Sequence, residues 1–90
     1  MAKAIGDPSE IRRFAGDLRR FSTELQNQLV SLHGRFLALG DSWQDQEHQK
    51  FADEFEQAFK VMARFLQASN GHVQHLLRKA ERLEEYLSQR

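Results

Sequence analysis

LGDSWQDQEHQKFADEF, residues 39–55, is the stretch in which the chain reverses direction. Gly40 can take the left-handed conformation that ends a helix without a steric clash. Ser42 can cap the next helix, because its hydroxyl can accept the backbone N–H of Asp45. Asp45 would then lie in the first turn, where the helix dipole favours a carboxylate. The stretch predicts a hairpin with a turn motif of Gly40, Ser42, Trp43 and Asp45.

The residues before the turn predict one long amphipathic helix, from about residue 8 to residue 39. Asp7 suits the N-cap position and Pro8 suits the first helical position. Apolar residues recur at steps of mostly three and four, which places them on one face of a helix. This first stripe consists of Ile11, Phe14, Leu18, Phe21, Leu25, Leu29, Leu32, Phe36 and Leu39.

The residues after a turn at 40–42 predict a second helix, from about residue 43 to residue 87. Asn70 and Gly71 could end one helix and start another, which would give a three-helix bundle. However, apolar and small residues keep alternating steps of four and three through this point, which favours one helix, straight or kinked. The second stripe consists of Phe51, Phe55, Phe59, Met62, Leu66, Ser69, Val73, Leu76, Ala80, Leu83 and Leu87.

Composition limits the class of protein. Ninety residues make a single domain, 1–90, and the formal net charge of zero argues against a dedicated binder of nucleic acid or anionic membranes. The absence of cysteine excludes disulfides and thiolate zinc sites. The sequence predicts neither a signal peptide nor a membrane span, because it lacks an apolar leader and any long apolar run.

The two stripes are too wide for a lone hairpin to bury. A second helix of this length is roughly 65 Å long, and two helices cover only the strip between them. We therefore expect an antiparallel four-helix-bundle homodimer, driven by burial of apolar surface. The predicted core and dimer contacts are Ile11, Phe14, Leu18, Phe21, Leu25, Leu32, Phe36, Phe51, Phe55, Phe59, Met62, Leu66, Val73, Leu76 and Leu83.

The charge distribution favours the antiparallel arrangement. Residues 1–20 and 72–90 carry nine basic and six acidic residues, whereas residues 21–71 carry four basic and seven acidic ones. The open end of the hairpin is therefore positive and the turn half negative. An antiparallel dimer pairs these opposite signs.

No group of residues predicts an enzyme, a cofactor site or a metal site. His72 and His75 share a helical face, but no third ligand completes a site. A rod of two helices offers no pocket in which a carboxylate could be desolvated for catalysis. Basic residues on the outer faces leave one alternative function open, a cytoplasmic nucleic-acid-associated dimer. That alternative would use Arg12, Arg19, Arg78, Lys79 and Arg82.

The chain resembles the WXG family of small helical hairpins, the early-secreted-antigen-like proteins of type VII secretion. The resemblance extends over nearly the whole chain: its length, its two helices and Ser42-Trp43-Gln44-Asp45 at the turn. There are two departures from the family pattern. The glycine two residues after the tryptophan is replaced by Asp45. The export signal, a tyrosine followed four residues later by an acid, is here Tyr86 followed by Arg90.

The resemblance implies a protein that acts by protein–protein contact, as a secretion substrate or adaptor. Its partner would be a second copy, a related hairpin or a secretion component, with no small-molecule substrate. Family members are exported without a cleaved signal peptide. Because Arg90 replaces the acid of the export signal, we expect cytoplasmic localisation, with export as the alternative.

Overall fold

Two antiparallel helices form the hairpin in a computed structural model that describes residues 6–89. Helix α1 spans Pro8–Leu39 and helix α2 spans Gln46–Ser88, and the described residues contain no strand. The predicted all-α hairpin is confirmed. The molecule is a rod with principal extents of 68 × 18 × 17 Å. The predicted change of the export signal at Arg90 lies outside the described residues.

Helix α1 begins at a proline behind an aspartate cap. The Asp7 carboxylate accepts the backbone N–H of Ser9 at 3.0 Å, and Pro8 is the first helical residue. Proline has no N–H to leave unsatisfied, and its fixed φ suits the first helical position. Glu10 places an acid in the first turn, at the positive end of the helix dipole.

The end of α1 corrects the predicted role of Gly40. Its φ and ψ are −63° and −19°, which is right-handed helical rather than left-handed. A Cβ at this position would lie 3.3 Å from the carbonyl oxygen of Leu37 and 3.7 Å from ring atoms of His48. The structure therefore uses glycine here for the close approach of another residue, not for a special backbone conformation.

The start of α2 corrects the predicted capping residue. Asp45 is the N-cap: its backbone is extended and its carboxylate accepts the N–H of His48 at 3.0 Å. The Ser42 hydroxyl instead donates back to the carbonyl of Leu39 at 3.4 Å. The backbone N–H groups of Ser42 and Trp43 also donate to Leu39, which winds the chain into a tight turn. Helix α2 therefore begins at Gln46, three residues later than predicted.

Small side chains form much of the contact between the helices. The buried residues of the described chain are Ala15, Ser22 and Phe36 of α1 and Ser69, Val73, Ala80 and Leu83 of α2. Ala15 and Ser22 are one heptad apart, and Phe36 follows two heptads later, as in the seam of a coiled coil. Small residues in such a seam allow two helix backbones to approach closely.

Helix α2 continues without interruption through Asn70 and Gly71, so the described residues do not form a three-helix bundle.

At the open end of the hairpin, the Arg12 guanidinium donates two hydrogen bonds to the Glu84 carboxylate, at 2.5 and 2.6 Å. This hydrogen-bonded pair lowers the pKa of Glu84 and fixes the start of α1 to the end of α2.

Candidate functional site

Aromatic rings fill the turn end of the hairpin. Phe36 of α1 lies 5.0 Å from Phe55 of α2, and Phe55 stacks on Phe51, also at 5.0 Å between ring centroids. The aromatic neighbours of Trp43 are His48, edge-on at 5.0 Å, and Phe51 at 6.0 Å. Trp43 therefore extends the α2 side of the aromatic cluster and stays half-exposed.

His48 holds this cluster against the turn, and sequence reasoning did not identify it. Its ring is stacked with Phe36 at 6.4 Å and packs over Gly40. Its Nε2 atom is buried and has no hydrogen-bond partner among the described residues. The residue acts here as a flat apolar spacer between Trp43 and Phe36. Its position three residues after Asp45, in the first turn of α2, was the available signal.

A line of large apolar side chains runs along one side of the rod, open to solvent. On α1, Phe14 and Phe21 are 57% and 53% exposed, and Phe21 meets Phe65 of α2 edge-on at 6.2 Å. A shallow depression continues the line toward the turn and connects α1 to Phe51. We call this surface the apolar strip; it consists of Phe14, Phe21, Leu32, Leu39, Phe51 and Phe65.

The residues of the two predicted stripes do not all lie in the core of the hairpin. Phe14, Phe21, Leu32 and Phe51 were predicted among the core and dimer contacts, but the hairpin core does not contain them. Phe36, Val73 and Leu83 are buried between the helices. The remaining predicted residues are half-buried: Ile11, Leu18, Leu25, Phe55, Phe59, Met62, Leu66 and Leu76. The stripes therefore contain two surfaces, a seam within the hairpin and a face beside it.

Carboxylates pair with three of the four arginines in the first half of α1. Arg12 pairs with Glu84, Arg13 with Glu10 at 2.9 Å, and Arg20 with Asp17. The sequence left Arg12 free for phosphate binding, and the structure corrects this. Arg19 makes no ion pair with any residue between 6 and 89. These pairings weaken the case for a nucleic-acid surface, because each paired arginine has lost its free charge.

Neither the histidines nor the carboxylates form a metal cluster. His33 lies 3.3 Å from a carboxylate oxygen of Glu56 and meets the ring of Phe59 edge-on at 4.9 Å. Within residues 6–89, no group of three or more His, Cys, Asp or Glu side chains could hold a metal ion. His33 is therefore a link between the helices, and His72 and His75 lie exposed on α2.

The sequence of residues 6–86 matches a family described as proteins of 100 residues with WXG. The chain belongs to the WXG100 family. The similarity extends to solved structures of the secreted protein EsxB from Bacillus anthracis strain Sterne. The wild-type structure is 29% identical with a TM-score of 0.77, and the match covers 91% of this chain and 88% of that one.

A selenomethionine-labelled structure of the same EsxB is 28% identical with a TM-score of 0.77, covering 96% of this chain and 98% of that one. No curated protein matches the chain significantly. Within residues 6–89, neither helix combines the length and the apolar character needed to cross a bilayer.

The geometry of the turn explains how this WXG100 chain accommodates an acid in place of the motif glycine. The residue two positions after Trp43 is the N-cap of α2, with extended backbone angles. Aspartate is among the best N-cap residues and glycine is only somewhat weaker. Asp45 therefore occupies a position that glycine would also tolerate, and it adds a side-chain acceptor for the N–H of His48.

Proposed function

We propose that this WXG100 protein is a non-enzymatic homodimer in which two hairpins pack through their apolar strips. The observation that carries the proposal is the exposure of Phe14, Phe21 and Phe65 along one side of a rod that has almost no core of its own. Soluble monomers rarely leave so many large apolar side chains uncovered along one side. A second copy presents the same strip, so a two-fold axis covers both at once.

The dimer acts by protein–protein contact, as a substrate or adaptor of a type VII-like secretion system. Support comes from the WXG100 membership and from the similarity to EsxB, whose structures are described as those of a secreted protein. The similarity to a secreted protein favours export over the cytoplasmic localisation that is expected from Arg90 in place of the export-signal acid. A related hairpin that presents an equivalent strip could take the place of the second copy.

The dimer is tested by placing a charge in the apolar strip. Leu32→Glu buries a carboxylate against Phe and Leu side chains of the partner, which costs several kcal/mol in an apolar environment. We expect multi-angle light scattering to give the mass of two chains for the wild type and of one chain for Leu32→Glu. The matched control is Val30→Glu, two residues earlier on the other side of α1, which should stay dimeric. A monomeric wild type at micromolar concentration would refute the dimer.

The secretion role is tested in the native cell. An antibody should detect the wild-type chain in the culture fluid, and deletion of the secretion ATPase should retain it in the lysate. Export would be contradicted if the chain stayed in the lysate, or if it appeared in the culture fluid only together with an intracellular marker. Retention of the monomeric Leu32→Glu variant alone would show that the dimer is the exported form.

A further inference from the structure

A second line of residues runs along α1 beside the apolar strip. Phe14, Phe21, Leu32 and Leu39 of the strip follow each other at steps of seven, eleven and seven. Arg12, Arg19, Val30 and Leu37 repeat the same steps two residues earlier. Because residues two apart point about 200° away from each other on a helix, the two lines lie on different sides of α1.

The second line borders an open groove between the two helices. Near the turn, Val30 lies in a depression with Phe59 and Leu66 of α2, and near the open end Arg19 lies in one with Val73 and Leu77. We call these two depressions together the second groove; it is bordered by Arg19 and Val30 of α1 and by Phe59, Leu66 and Leu77 of α2, and Leu37 continues the line of Val30 toward the turn. Val30 and Leu37 are 68% and 58% exposed, the two highest values among the exposed large apolar residues.

Gly34 leaves room for another backbone to approach the α1 side of the second groove. It lies four residues after Val30 and three before Leu37, on the same face of α1. No atom of residues 6–89 lies within 4 Å of a Cβ built on Gly34. Glycine inside a helix is unfavourable by roughly 1 kcal/mol relative to alanine, and no contact in the hairpin requires it.

Charge distinguishes one end of the second groove from the other. Of the four arginines in the first half of α1, Arg19 is the one that makes no ion pair with residues 6–89, and it lies at the edge of the groove. Between Arg20 and Arg35 the only charged residue of α1 is Glu24. The α1 side of the groove therefore carries the charge of Arg19 toward the open end and no charged residue at Val30, Gly34 and Leu37, while the pair of His33 and Glu56 lies beside Val30.

We propose that the second groove binds an amphipathic helix of another protein, with an acidic residue opposite Arg19 and an apolar face on Val30, Leu37 and Phe59. From Arg19 to Leu37 the α1 side of the groove is about 27 Å long, which matches a helix of about 18 residues. A second copy cannot fill this groove within the proposed dimer, because a closed two-fold pair covers one face of each hairpin. This assignment rests on the proposed dimer only for the choice of face.

The probe is a fluorescein-labelled peptide of about three heptads, with leucine at a and d and neutral polar residues elsewhere. One version carries two glutamates in its last heptad, and the matched version carries two lysines. Fluorescence anisotropy should show that the wild-type dimer binds the glutamate peptide about fivefold more tightly, the size expected for exposed charge pairs. Arg19→Glu should reverse that preference.

Val30→Glu should weaken binding of both peptides by about tenfold or more, because it places a carboxylate in the apolar contact. Ser31→Glu, an exposed position on α1 that belongs to neither the apolar strip nor the second groove, should bind the glutamate peptide as the wild type does. Equal binding of the two peptides to the wild type, or unchanged binding by Val30→Glu, would overturn the proposal.

Light scattering on the same samples separates this inference from the proposed function. A Val30→Glu variant that becomes monomeric would place the second copy in the second groove and overturn the inference. A wild type that is monomeric yet distinguishes the two peptides would refute the dimer and leave the groove supported.

Discussion

The hydroxyl oxygens of Ser22 and Ser69 lie 2.5 Å apart, in the seam between α1 and α2. Ser22 is 7% exposed and Ser69 is 1% exposed, so both hydroxyls are removed from water. Their hydrogen bond joins residues 47 positions apart in the sequence. It therefore selects one register among those that the heptad spacing of the two helices would allow.

We predict that the two serines are energetically coupled. Ser22→Ala or Ser69→Ala alone should lower the free energy of unfolding by about 1–2 kcal/mol, since each leaves one buried hydroxyl without its partner. The double variant should cost less than the sum of the two single variants, because no orphaned group remains. Chemical denaturation at one fixed protein concentration measures all three, with the exposed Ser31→Ala as control. Strictly additive effects would show that the hydroxyls do not act as a pair.

A second prediction concerns the cap of α2. Asp45→Ala should destabilise the protein by about 1 kcal/mol, whereas Asp45→Gly should cost only a few tenths, because glycine is itself a fair N-cap. Ser42→Ala should have little effect, since its hydroxyl bonds back to Leu39 rather than forward to the helix. Denaturant unfolding of the three variants ranks them. A larger loss for Ser42→Ala than for Asp45→Ala would restore Ser42 as the capping residue.

Residue preferences alone do not determine which residue is the N-cap of α2. Ser42 and Asp45 are both good N-cap residues, and local preference does not decide between them. The decision depends on the turn: the Gln44 side chain donates to the carbonyl of Gly40, and the backbone of Trp43 donates to Leu39. These bonds lie within residues 39–44 and extend the turn beyond Ser42, and the N-cap preferences of Ser42 and Asp45 do not indicate them.

The helices themselves were predictable because steps of three and four persist over many turns. The division of each stripe into two surfaces was not. Ala15 and Ser22 are buried in the seam while the neighbouring Phe14 and Phe21 are exposed, the reverse of what hydrophobicity alone suggests. Phenylalanine is the stronger apolar signal, but the close approach of two helices requires small residues. Only the structure shows which requirement applies at each position.

A third prediction follows from the ion pair at the open end. The hydrogen bonds from Arg12 hold the pKa of Glu84 below its ordinary value of 4.5. Because the folded-state pKa is depressed, the stabilisation is fully present above that ordinary value and is lost as the pH falls through the lower folded-state value. Glu84→Gln should therefore lower the thermal midpoint at neutral pH, and its difference from the wild type should shrink in acid.

The side chains of Arg12 and Glu84 are 41% and 52% exposed, so the effect at neutral pH should be small and should weaken in high salt. Glu85→Gln is the matched control, since Glu85 makes no ion pair with any of the described residues. Thermal unfolding followed by circular dichroism, over a series of pH values, gives the comparison. A difference between Glu84→Gln and the wild type that does not change with pH would show that the pair contributes nothing through its charge.

The last prediction is the orientation of the two hairpins in the proposed dimer. Residues 21–71 carry three more acidic than basic residues, and the rest of the chain carries three more basic than acidic ones. A parallel pair would stack equal charges at each end, whereas an antiparallel pair sets the turn of one copy against the open end of the other. Exposed pairs are individually weak, about 0–1 kcal/mol, so charge selects the orientation while the apolar strip drives association.

Spin labels can measure this orientation directly, because the chain has no cysteine of its own. Ser42→Cys places a label at the turn and Lys79→Cys places one near the open end, both at exposed positions. In an antiparallel dimer the two turn labels lie near opposite ends of a rod 68 Å long, and a turn label lies close to the partner's open-end label. A parallel dimer would instead bring the two turn labels within about 20 Å, two helix diameters, and that result would refute the charge argument.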